Sequence, residues 1–181
     1  MIAMDKVEIT NFIKKNEPLP WKTSTIRGEN QLVCWLPIID ISGSDHYLGL
    51  IKDGFWVADT HDQLVKLEKN SSFVPLLPML EFQCEDFLTE LKNSFKSCGL
   101  PIIMVSYFPL LEGIICGLET RSDYWAKLAL KWLESCEELQ TIQLIPFLEK
   151  LSLANKKQVS QPVRQKSQRI LRKIQSATVA R

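Results

Sequence analysis

The chain has 181 residues, 45% hydrophobic and 24% charged, with a formal net charge of +1. That length and composition support a buried core and exclude wholesale disorder and collagen-like repeats. A balance this close to neutral gives no global attraction to nucleic acid.

The N-terminus, MIAMDKVEITNF, has no apolar run after a basic start and does not read as a signal peptide. Five cysteines, Cys34, Cys84, Cys98, Cys116 and Cys136, are widely spaced and form no C-x-x-C pair. This predicts buried free thiols in a reducing cytosol rather than a disulfide framework.

Val7 to Lys15 reads as a short helix, stopped by Pro18 and Pro20. Residues 24–30 are polar and turn-like around Gly28. Gln31 to Ile41 carries strand signals, and Pro37 marks an edge, a bulge or an interruption. Ser42 to Asp45 reads as a turn. His46 to Lys52 and Phe55 to Thr60 flank Asp53-Gly54, a pair suited to a two-residue hairpin. Gly49 leaves room for a bulky neighbour such as Trp35 or Trp56. Gln63 to Leu67 alternates and predicts another strand.

Residues 70–80 form a connection punctuated by Pro75 and Pro78. Cys84 to Lys96 is helical in pattern, with Cys84, Phe87, Leu88, Leu91 and Phe95 on one stripe and Gly99 as a left-handed cap. Ile102 to Tyr107 is a short apolar run and predicts a strand buried on both faces. The longer run 99–118 nearly matches a bilayer crossing, but two prolines, three glycines and Glu112 argue against a transmembrane segment.

Helical periods take over after Thr120. One helix runs from a Ser122 cap to Cys136, with Trp125, Leu128, Ala129, Trp132 and Leu133 on its apolar stripe. A second covers Glu138 to Leu153, kinked or restarted at Pro146. The last starts near Pro162, buries Val163, Ser167, Ile170, Leu171 and Ile174, and frays from Gln175. The expected fold is α+β. Residues 1–120 hold a small mixed or antiparallel sheet with an N-terminal hairpin or meander and a packed helix. Residues 121–181 form a three-helix C-terminal subdomain with a basic last helix.

Charge is unevenly spread. Residues 1–120 carry 10 basic and 16 acidic side chains, whereas residues 121–181 carry 12 and 5. The final 26 residues hold eight cations and no side-chain acid. They suit pairing with the acidic first part, contact with an acidic protein, or contact with nucleic acid or an anionic membrane. Arg164, Arg169 and Arg172, with Lys173 beside them, are the candidate contacts, because a guanidinium addresses oxyanions bidentately.

Catalytic signals are sparse. There is no H-E-x-x-H, Walker A, Rossmann or G-x-S-x-G motif. Asp59, His61 and Asp62 form a possible polar site, since a carboxylate beside an imidazole can orient it. A zinc site would need His46, His61, a carboxylate and Cys34 to converge. A Cys34-His46-Asp45 set would suit thiol chemistry, although the apolar neighbours of Cys34 predict its burial. Trp21, in the rigid context LPW, is a candidate interaction anchor.

The sequence therefore favours a noncatalytic cytosolic protein-interaction or accessory protein, with no cofactor and no metal. Its expected partner is a protein, acidic if the last helix is the contact. A small metal-dependent hydrolase built on His61 and neighbouring carboxylates is one alternative. A nucleic-acid binder using the basic C-terminal helix is another. Abundant apolar surface also predicts a homodimer through the C-terminal helices.

Overall fold

Five strands form a closed barrel: β1 Lys22–Ile26, β2 Leu32–Asp40, β3 Tyr47–Ile51, β4 Trp56–Asp59 and β5 Gln63–Lys66. The computed structural model describes residues 10–13, 19–29, 31–41, 46–60, 63–68, 70–120, 122–136, 139, 141–155 and 159–179, except the side chains of 70–72 and 178–179. The chain divides into two compact units, residues 1–79 with 86–109, and residues 80–85 with 110–181.

The barrel is an antiparallel meander in the first unit. A short parallel pairing, Thr25 with Gln63 and Ile26 with Leu64, closes it. Each strand gives one side chain to a shared cluster: Ile26, Trp35, Ile51, Val57 and Leu64. The ladder slips between Pro37 and Ile39, the bulge that a proline without an amide imposes.

The polar segment 24–30 contributes most of β1 rather than only a turn. The threonines of β1, Thr23 and Thr25, favour extended backbone, but only Ile26 is buried, so the strand shows little hydrophobic alternation. The hairpin after β3 also differs from expectation. Ile51 N donates to Phe55 O at 3.0 Å and Gly54 N to Ile51 O at 2.9 Å. The loop is therefore three residues, Lys52 to Gly54, with Gly54 at φ 76°. One left-handed residue suffices for this turn.

The outer side of β4 is covered within the same unit. Trp56 Nε1 donates to Tyr107 O at 2.9 Å. Its ring meets Phe108 edge-on at 4.9 Å and lies 6.0 Å from Phe95. Phe95 belongs to α1, Cys84–Ser97, which ends at Gly99 with φ 69° as the sequence predicts.

Residues 70–81 form a 3-10 helix. A three-residue period stacks Phe73, Leu76 and Met79 on one buried row and Leu77 and Leu80 on another, while Val74 is exposed. Pro75 and Pro78 fall on the remaining row, where no buried contact is needed. Ile102–Tyr107 is also a 3-10 helix, not the buried strand predicted above. Ile102 and Ile103 are exposed and Met104 is buried. The barrel closes on itself, so it offers this segment no free edge to pair with.

The second unit contains α2 Leu110–Glu119, α3 Asp123–Ser135, α4 Ile145–Leu153 and α5 Gln161–Val179. Pro146 occupies the first turn of α4, after a short 3-10 turn at Ile142–Leu144, so the proline restarts the helix. Trp132 on α3 is buried and donates from Nε1 to Phe82 O at 2.9 Å. The apolar stretch Ile102–Glu119 has the length and hydropathy of a span, with 39% buried. It is broken between the 3-10 turn and α2 at Phe108-Pro109. Among the described residues no other helix is long and apolar enough to cross a membrane.

In the first unit, Thr10 to Ile13 is helical and Ile13 is buried, within the helix predicted over 7–15; the rest of that helix lies outside the described residues. So does the turn at 42–45.

Candidate functional site

The last helix carries the charge signal, and its own pattern explains its placement. Val163, Ser167, Ile170, Leu171 and Ile174 recur at helical spacing and are all buried. Ser167 is the one polar member of this stripe, and its hydroxyl donates to Val163 O at 2.9 Å within the helix. The remaining faces are free to hold cations.

Those cations fall into three settings. Lys166 and Arg169 both pair with Glu134 of α3, Lys166 at 2.6 Å. The acid that engages them thus lies on a neighbouring helix of the same unit. Arg172 and Lys173 are exposed. Arg164 is half-buried, and its Nε is closed from water with no hydrogen-bond partner among the described residues.

Arg164 lines a cavity of about 260 Å³ together with Ser152, Gln161, Gln165 and Gln168. Gln161, Arg164, Gln165 and Gln168 stand at i, i+3, i+4 and i+7, one face of a helix. Sequence reasoning singled out Arg164 but missed the glutamines. Their spacing was the available signal, hidden because the charges drew the attention.

Beside it, Asp123 at the start of α3 accepts from Ser160 N at 3.0 Å. Hydrogen bonding from Ser160 holds the Asp123 carboxyl below its usual range, with a smaller contribution from Lys127. This fixes the chain leading into α5.

The other candidates are dispersed. Asp59 ends β4 and is half-buried. His61 and Asp62 lie outside the described residues. Cys34 is exposed on β2, contrary to the burial predicted from its neighbours, because its side chain alternates outward from Trp35. His46 pairs through its backbone with Ile41, seven residues along the strand from Cys34. At about 3.3 Å per residue the two are roughly 20 Å apart, too far for a thiol-imidazole pair or a shared metal. Trp21 is half-buried, with Lys52 Nζ 5.3 Å from its ring centre and Nε1 enclosed without a partner among the described residues.

The thiols also differ from expectation. Cys84 and Cys136 are joined as a disulfide, tying the first residue of α1 to the end of α3. Apolar spacing explains why both are buried, but it does not show that they meet. Cys98 is half-buried and Cys116 buried, and burial pushes both thiols up. Among the described residues no three metal-ligating side chains gather. The chain matches no family model, no curated protein and no solved structure.

Proposed function

We propose that this is a noncatalytic interaction or accessory protein that docks on an acidic protein partner. The observation that carries this reading is α5: 19 residues with five cations and no acid, Arg172 and Lys173 among them exposed. The Glu134 pairs supply a fixed base for the helix, and Arg172 and Lys173 stand exposed on it. A symmetric self-contact through this helix would set like charges against each other, which favours a different, acidic chain.

The test is capture from native lysate with wild type and with Arg172→Glu/Lys173→Glu. A captured acidic protein should rebind when purified, weaken as salt rises, and fail on the double variant. Capture that is lost on nuclease treatment, or that ignores the double variant, overturns the reading.

A further inference from the structure

The cavity at Arg164 adds a specific element to that surface. Arg164 is the one charged group among its described lining residues. The Ser152 hydroxyl is engaged by Glu149 O at 2.9 Å. Three glutamines line the cavity with the guanidinium and carry N–H donors, and among the described residues no carboxylate lines it to neutralise the charge. The enclosed Nε lacks an acceptor among the described residues, a costly condition for a buried donor. A guanidinium that presents two N–H groups together makes the fork that a carboxylate accepts.

Size and lining narrow the ligand. At about 260 Å³ the cavity is smaller than ordinary small-molecule pockets, which begin near about 300 Å³. It suits one side-chain group. The glutamines present carbonyls as well as N–H groups, so they fit a monoanion flanked by peptide better than a phosphate dianion. We propose that this cavity receives a carboxylate side chain of the acidic partner, an inference that rests on the reading above.

Titration of the full chain with an acetylated hexaglutamate peptide at low salt tests it, with inorganic phosphate as a parallel probe. Arg164→Gln should weaken peptide binding about tenfold. Arg164→Lys keeps the charge but not the fork and should recover only part of it. Thermal melts identify any variant that fails to fold, and Gln165→Leu/Gln168→Leu then repeats the test without touching Arg164. Unchanged binding by Arg164→Gln, with loss in Arg172→Gln/Lys173→Gln, overturns the cavity while the docking helix stands. No binding to wild type overturns both. Phosphate bound more tightly than peptide, through Arg164, overturns the carboxylate assignment.

Discussion

Gly49 leaves its side-chain space to Trp35: a Cβ placed on Gly49 would stand 2.8 Å from Trp35 Cε3 and would strike the Leu36 carbonyl. The two residues sit on paired strands, and Trp35 is 2% exposed. The indole fills the barrel only because position 49 has no side chain. Gly49→Ala should therefore cost about 3 kcal/mol, at the upper end for overpacking, since a backbone carbonyl cannot step aside. Gly28→Ala meets nothing within 4 Å and carries only the strain of φ +82°, roughly 1 kcal/mol. Urea midpoints followed by tryptophan fluorescence measure both. Equal losses would mean that Trp35 does not depend on Gly49.

That contact was legible in the sequence, as were the bulge at Pro37 and the stripe from Val163 to Ile174, because each follows from one residue's geometry or from one period. The run Ile102 to Tyr107 was not. Six apolar residues fit a strand or a tight helix equally, and the choice depends on whether a sheet edge is free. The strand Lys22–Ile26 escaped notice because its pairing, not its hydrophobicity, makes it a strand. The Arg164 cavity needed α4 and α5 side by side, a relationship no local pattern encodes. The same is true of Cys84 and Cys136, 52 residues apart.

Reduction should destabilise the second unit. A loop of this length gives about 4 kcal/mol in the chain-entropy account, and about 3 kcal/mol is the expected loss. Denaturation with and without reductant measures it, and Cys84→Ser/Cys136→Ser should no longer respond to reductant. Alkylation without reductant should label three thiols. Exposed Cys34 should react first, with Cys98 and Cys116 slower because burial raises both thiols. Five labelled thiols before reduction would mean that the bond is not formed.

Acid should loosen the approach to α5 through Asp123. Its carboxylate accepts from Ser160 N at 3.0 Å, with Lys127 Nζ 3.7 Å away, and these partners lower its folded pKa. An unfolded aspartate takes up its proton near about pH 3.9. The folded state holds the charge below that, so the stabilisation is complete above about pH 5 and is lost as pH falls through the folded value. Asp123→Asn keeps an oxygen acceptor but has no charge to lose. Its melting temperature should lie below wild type at neutral pH, and the gap should close as acid protonates the native carboxylate. The gap should be modest, because water screens a side chain that is 34% exposed. Melts from pH 7 down to about pH 2.5 decide the matter. A gap that stays constant through the acid range would assign the role of Asp123 to its shape and hydrogen bonding, and remove its charge from the account.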